Sequence, residues 1–367
     1  MMNDLGLYVH IPFCQARCHY CDFVSLCPRP GDIDNYLGAL EKELLGFDRL
    51  FDRSIIETIY IGGGTPSILN LDQTGRLLEM LQPLRKAVTE FTIEANPESV
   101  SDEKVRLWQD HGIDRVSLGM QTSDPLWLKT LGRIHTTEKV AQAVDIIRQR
   151  IDCLNIDLIY GLAPGDKTYM KTLEEIIGLR PQHISIYELE VYDHLPLAKM
   201  LSERVDSDES FEQFHRLMSR LESVGYQRYE VSNFSLPGFE AKHNQRYWKR
   251  QNTLGVGLGA HSLIDNKRFN NTADLTQYLA GERIEHRENL SSDEALLEEI
   301  MLGLRRVKGM NYRNLIKQYP DRSDMIDRFV QQQIQLDRLI LTDDCLKATQ
   351  LGLDLLDRIV LDFMSLQ

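Results

Sequence analysis

The sequence predicts an α/β fold built on a mainly parallel sheet and followed by a smaller helical domain. Three observations carry this. Apolar runs of strand length alternate with amphipathic helical stretches through the first half of the chain, six times in succession. The strand runs read as apolar on both faces, the mark of parallel strands covered by helices. From Ser291 onward the strand signal fades and helical spacing takes over. Six such units form either a doubly wound sheet or an incomplete (β/α)6 barrel of the TIM type. In both, functional groups collect at the C-terminal ends of the strands.

Taken in order, residues 5–11 form the first strand, with β-branched and aromatic content. Ile33, Tyr36, Leu37, Leu40, Leu44 and Phe47 share one face of a helix predicted over 32–51. A strand at 55–61 ends in Gly62-Gly63-Gly64-Thr65-Pro66. A helix at 72–84, a strand at 91–95, a helix at 101–111 and a strand at 115–120 follow. The pattern continues with a helix at 137–149, a strand at 153–159, a helix at 167–179 and a strand at 183–189. Beyond Tyr192 a helix is expected at 208–224 and a strand at 227–231, while 235–267, rich in Gly, Asn and aromatics, reads as loops. Ser291-Ser292-Asp293-Glu294 is a capping box opening the helical tail, in which a hairpin is expected near 339–346. The domain division that follows is a core over 1–234, a connecting region over 235–290 and a helical domain over 291–367.

A chain of 367 residues has room for one large domain and a small one. Charged residues make up 26% and the net charge is −13, which excludes general nucleic-acid binding because that needs a basic face. No apolar run approaches bilayer-spanning length and no export signal is present, so a cytoplasmic location is expected. Disulfides are rare there, so six cysteines, three of them clustered, favour metal binding.

Those three, Cys14, Cys18 and Cys21, stand in a Cys-x3-Cys-x2-Cys frame on the loop after the first strand. Thiolates are the usual ligands of iron–sulfur clusters, and three of them leave one iron of a four-iron cluster open for chemistry. The competing assignment is structural zinc, with His10, His19 or Cys27 as fourth ligand. Other polar residues fall at the ends of neighbouring strands. The glycine turn follows the second strand and lets backbone approach a ligand, though it lacks the Lys-Ser/Thr of a P-loop. Glu94 and Asp157 can take ribose hydroxyls or an ammonium group, Gln121 can donate and accept, and Arg133 can hold a carboxylate. Each alone reads as a solvated loop residue; at one mouth they favour a polar, nucleotide-like ligand.

A second stretch, His243-Asn244-Gln245-Arg246-Tyr247-Trp248, places a histidine beside two large aromatics in a region read as loop. Such a histidine can ligate haem iron while the aromatics pack on the porphyrin; equally it can be a capped or surface imidazole. Lys242, Arg246, Lys249 and Arg250 make this the most basic patch of the chain, suited to propionates or phosphate. His261, after a second glycine-rich run, is a weaker candidate.

The cysteine frame, with Tyr20 before its last member, resembles the radical S-adenosylmethionine (SAM) superfamily. Leu7-Tyr8-Val9-His10-Ile11-Pro12-Phe13-Cys14, the Gly62–Pro66 turn, Asn155-Ile156-Asp157-Leu158-Ile159-Tyr160-Gly161-Leu162 and the tail narrow the likeness to oxygen-independent coproporphyrinogen oxidases and their relatives. The oxidases carry a further cysteine two residues after the third and a longer N-terminal extension; here the position is Phe23 and few residues precede the loop. Cys21-Asp22-Phe23 and His243-Asn244-x-x-Tyr247-Trp248 are similar instead to the haem-chaperone branch of that family.

That resemblance implies the incomplete barrel and a [4Fe–4S] cluster on Cys14, Cys18 and Cys21, whose open iron chelates SAM. Tyr8 and the backbone near Tyr20 would pack beside the ligand, and Gly63, Gly64 and Thr65 would border its amino-acid end. Glu94, Gln121, Arg133 and Asp157 would supply polar contacts to SAM, and His243 would contact haem. Haem would be cargo for haem-requiring clients, membrane-bound respiratory enzymes among them, delivered by peripheral contact with the membrane and without a span. The alternative it implies is the oxidase, in which cleaved SAM yields a radical that abstracts hydrogen from a propionate side chain, with loss of CO2.

Overall fold

The computed structural model describes residues 3–366. Its backbone is a 12-stranded sheet whose centre consists of β1 (Asn3–Ile11), β2 (Ser54–Gly63), β3 (Glu90–Ala95), β4 (Arg115–Gln121), β5 (Cys153–Tyr160) and β6 (His183–Glu188), parallel and in sequence order. A doubly wound sheet reverses its strand order at a switch point. Consecutive order instead winds the sheet one way, as a barrel does, and the end strands do not pair with each other, so the barrel stays open.

Helices cover the outer face: α1 (Asp32–Gly46), α2 (Asp48–Phe51), α3 (Leu71–Leu81), α4 (Asp102–Asp110), α5 (Pro125–Leu131), α6 (Thr137–Arg148), α7 (Thr168–Leu179) and α8 (Ser207–Ser223). The helix expected over 32–51 is thus two, divided at Phe47, where φ −101° and ψ 8° leave the helical region just after Gly46. The sequence reading missed α5, although its signals are local. Asp124 accepts from the N–H of Leu126 and Trp127, Pro125 fills the first position, and Gly132 ends it at φ 75°.

The strands are not apolar on both faces. Leu5, Leu7, Val9 and Ile11, like Phe91 and Ile93, Val116 and Leu118, and Leu154 and Ile156, are buried under the helices. The alternate positions carry Tyr8 and His10, Thr58 and Tyr60, Glu94, Ser117, Asn155 and Asp157, and His183 and Ser185. An open barrel does not fill its interior with apolar side chains, so the inner face keeps polar groups for a ligand.

The sheet continues past both ends of the parallel core. β7 (Gln227–Arg228) and β8 (Asn233–Ser235) extend it antiparallel from β6. The strand expected over 227–231 stops at Arg228 because Glu230 leaves the ladder to bridge Arg306 of the tail. The loops expected over 235–267 are also corrected. That region holds α9 (Lys242–Trp248), β9 (Thr253–Val256), which runs parallel to β1, and β10 (His261–Ile264), followed by β11 (Lys267–Asn271). α10 (Leu275–Ala280) and β12 (Ile284–Asn289) complete the sheet's edge.

The tail opens at α11 (Ser292–Gly303), where Ser291 and Glu294 form the expected capping box. β13 (Met310–Asn311), α12 (Tyr312–Gln318), α13 (Ser323–Gln335), β14 (Leu339–Thr342), β15 (Cys345–Ala348), α14 (Gln350–Asp354) and α15 (Leu356–Met364) follow. The expected hairpin is β14–β15. Leu296, Ile300, Phe329, Leu346, Ile359 and Phe363 give this region its own core.

Candidate functional site at the mouth of the open barrel

The site begins where β1 ends. Cys14 is 8% exposed and is fixed by backbone: its N–H donates to Leu26 O at 2.9 Å, and Leu26 N–H returns to Pro12 O at 2.7 Å. The glycine turn at the end of β2 is laced to the same segment. Gly64 N–H donates to Ile11 O (2.9 Å) and Thr65 N–H to Phe13 O (2.8 Å), while Thr65 Oγ1 donates to Cys14 Sγ at 3.4 Å. Two glycines are required here. Gly63 has φ 119°, and a Cβ on Gly64 would stand 2.9 Å from both Cys14 Sγ and Phe13 O.

The other two thiols lie further along the loop, which is pinned from the far side of the barrel. His19 Nδ1 donates to Thr130 O at 2.8 Å, and Leu197 N–H donates to His19 O at 3.0 Å. Arg133 reaches Cys18 Sγ at 3.6 Å while donating to Asn96 Oδ1 (2.7 Å) and Gly119 O (2.6 Å). Tyr20 packs against the small apolar cluster of Leu131, Ile159 and Leu197.

All three thiols are free. Among the described residues, no three His, Cys, Asp or Glu side chains converge as a single metal ion requires. A zinc tetrahedron demands such convergence, at about 2.3 Å per thiolate. A four-iron cluster does not, because each thiolate binds a different iron of a larger body. His10, one candidate for a fourth zinc ligand, has both ring nitrogens engaged, by Tyr8 OH (3.0 Å) and Val24 O (2.8 Å). Three free thiols on one loop beside a turn that excludes Cβ atoms fit a cluster better than a closed zinc site.

Around this loop the inner face of the sheet supplies acids and amides. Tyr60 OH donates to Glu94 Oε1 at 2.7 Å and Gly63 N–H to Oε2 at 3.0 Å. Burial nevertheless pushes the Glu94 carboxyl up to about 7, against those two hydrogen bonds. Asp157 is also raised by burial, and it accepts from Asn155 Nδ2 at 2.7 Å. Gln121, at the end of β4, is 8% exposed and sits at φ 67°. A non-glycine residue in that region is held there by its surroundings. Tyr8 stacks on Tyr60 with ring centroids 6.1 Å apart.

A chain of contacts that runs through Tyr60 and Asn96 thus links Cys14, Cys18, Gly63, Gly64, Thr65, Tyr8, Glu94 and Arg133, with Gln121 and Asp157 on the adjoining strands. Sequence reasoning missed Tyr60, Asn96 and Asn155. A signal existed: Tyr60 lies two residues before Gly62, and Asn155 two before Asp157, so strand alternation puts each on the ligand's side.

His243 lies below this group, joined to Glu94 through the Tyr60 ring. It is on helix α9 and not on a loop, and α9 packs against the lower part of β2, below Tyr60. The imidazole is 1% exposed, and burial, with Arg246 adding to it, pushes it down to about 3, so it is neutral. Nδ1 shares a hydrogen bond with Thr58 Oγ1 (2.8 Å), Nε2 one with Tyr247 OH (3.1 Å), and Tyr60 stacks on the ring at 5.3 Å. Arg246 is bound to Asp4 (2.8 Å) and Glu57 (2.9 Å), and Arg250 to Glu298 (2.9 Å), so much of the basic patch is internally paired. His261 lies on β10, facing Asn270 of β11.

Comparison with known proteins agrees with this geometry. Residues 8–174 match the Radical SAM superfamily, and residues 290–355 match the HemN C-terminal domain. The chain is 34% identical to heme chaperone HemW of Lactococcus lactis over 97% of both chains. It is 32% identical to heme chaperone HemW of Bacillus subtilis, over 85% of this chain and 86% of that one. With heme chaperone HemW of Escherichia coli it shares 33% identity over 72% of this chain and 71% of that one. In fold it is similar to the solved structure of Escherichia coli coproporphyrinogen III oxidase HemN, with a TM-score of 0.86 at 22% identity, covering 98% of this chain and 90% of the other. With an open parallel barrel, a cysteine loop at its mouth and relatives at this level of identity along nearly its whole length, the chain belongs to the HemW family of the radical SAM superfamily.

Proposed function

We propose that the protein is a haem chaperone: it binds haem and passes it to haem-requiring proteins. The observation that carries this is Phe23. Where the decarboxylating relatives are expected to place a further cysteine, this chain presents an aromatic ring that is 69% exposed beside the cluster loop. The relatives named as heme chaperones support the same reading.

Membership in the superfamily implies a [4Fe–4S] cluster and SAM. When bound and reduced, that cluster can supply the electron that splits SAM. The chain's own part is to hold and orient. Cys14, Cys18 and Cys21 would carry the cluster, and the Gly63-Gly64-Thr65 backbone would border the amino-acid end of SAM. Tyr8 and the backbone near Tyr20 would pack beside it. Glu94 is poised to meet a cation, because a positive ligand would restore the charge that burial removes. Gln121, Arg133 and Asp157 complete the polar wall. Arg133 does so with its guanidinium already fixed by Asn96 and Gly119. His243 would reach haem iron only after Nε2 leaves the Tyr247 hydroxyl; in the present geometry it holds Tyr247 in place.

Among the described residues no helix is long and apolar enough to cross a membrane. Delivery to membrane-bound respiratory clients would be by peripheral contact. The test is transfer: haem-loaded, cluster-containing protein mixed with a haem-free acceptor should lose its haem absorption as the acceptor gains its own. Retention of all haem against an acceptor of higher affinity would refute the carrier role.

A further inference from the structure

One ring joins the wall assigned to SAM with the buried imidazole of α9. Tyr60, on the inner face of β2, is stacked with Tyr8 (centroids 6.1 Å, planes 28° apart) and with His243 (5.3 Å, 29°). Its hydroxyl donates to Glu94 Oε1 at 2.7 Å. The two outer rings are anchored in turn. His10 Nε2 donates to Val24 O, three residues past Cys21, at 2.8 Å. A carbonyl only accepts, so His10 Nδ1 carries the lone pair and takes the Tyr8 hydroxyl at 3.0 Å. At the other end His243 Nδ1 is bonded to Thr58 Oγ1 (2.8 Å), and Nε2 meets the Tyr247 hydroxyl (3.1 Å).

A buried tyrosine is more often a packed residue with one satisfied hydroxyl than a link between sites. Two features set Tyr60 apart. Stacking alone asks for no hydroxyl, since phenylalanine would cover the same rings; the phenol reaches the carboxyl that faces one ligand while the ring rests on the imidazole that faces the other. Gly62 is what lets tyrosine and carboxyl meet. A Cβ there would stand 2.8 Å from Tyr60 Cε1 and 3.0 Å from Glu94 Cδ.

A metal-binding histidine is oriented by the groups behind it, and a ligand already held in place binds more tightly than one that must first be ordered. A cation at Glu94 keeps that carboxylate charged, and a charged acceptor makes the stronger hydrogen bond to the phenol. The ring is then held harder, and with it the surface on which the imidazole rests.

We propose that Tyr60 is a positioning residue that couples the two ligand sites: SAM at Glu94 steadies the Tyr60 ring, and that ring holds His243 in the orientation from which Nε2 takes haem iron. This rests on the haem-carrying reading and gives SAM a use that does not require its cleavage. The coupling is reciprocal, so haem tightens SAM binding by the same factor.

Haem is titrated into cluster-loaded protein with and without saturating SAM, in wild type, Tyr60→Phe and His243→Ala, with iron, sulfide and urea midpoint checked in each. The cluster is kept oxidised, so it has no electron to give and SAM stays intact. Wild type should bind haem about fivefold or more tightly when SAM is present. Tyr60→Phe keeps the stacked ring and loses the bond to Glu94. Its Soret band should coincide with that of wild type, while the gain from SAM disappears. His243→Ala should shift the band whether or not SAM is present. A wild-type haem affinity that SAM leaves unchanged, or weakens, would overturn the coupling and leave the carrier function intact. A gain that survives in Tyr60→Phe would also overturn it, because the link would then run by another route. A wild type that binds no haem would overturn the carrier reading itself.

Discussion

At Glu94, burial and hydrogen bonding pull in opposite directions. Burial wins, lifting the carboxyl from its usual 4.5 to about 7. The native chain therefore keeps a proton that the unfolded chain gives up between those values. The contribution to stability is full below the unfolded pKa and is lost as pH rises through about 7. Glu94→Gln removes the titration and keeps the shape. Urea midpoints measured from about pH 5 to about pH 8 should fall less steeply with pH in the variant than in wild type. Superimposable profiles would show that Glu94 is not the carboxyl at issue. Gly64 makes a steric prediction. A methyl there would crowd Cys14 Sγ and Phe13 O at 2.9 Å, an overpacking cost of about 1–3 kcal/mol. Gly64→Ala should retain less iron after anaerobic reconstitution than the roughly four per chain expected of wild type. Full loading of the variant would contradict the packing argument.

At the scale of elements, α9 shows why part of the site was illegible. It is only seven residues long, it lies in a stretch rich in Gly, Asn and aromatics, and its N-terminus has no side-chain cap of its own. The acceptor comes from another strand: Glu90 on β3 takes the N–H of Lys242 at 2.7 Å and of His243 at 2.9 Å. No local pattern announces a partner about 150 residues away. By contrast, α5 carried its signals in Asp124, Pro125 and Gly132 and could have been read. Glu90→Ala should leave those two donors unsatisfied, the buried one at His243 above all, and cost about 1–3 kcal/mol, seen as a lower urea midpoint. An unchanged midpoint would mean that α9 is held by its side chains alone.

For the molecule as a whole, strand–helix alternation made the class of fold readable, and the cysteine spacing identified the mouth. Strand order was not readable, because a doubly wound sheet and a barrel share the same local periodicities. The polar interior was readable and was missed: in 153–160, Asn155 and Asp157 stand two apart and so share one face of the strand. His243 was legible as a motif but not as a place. Only the packed chain shows its ring closed between Thr58, Tyr60 and Tyr247.

The central claim is that this barrel carries haem and does not make its precursor. One cluster-loaded, reduced sample supplied with SAM can be given haem in one portion and coproporphyrinogen III in another. Tight haem binding with no protoporphyrinogen IX formed is the predicted result. Robust decarboxylation, with or without haem binding, would contradict it.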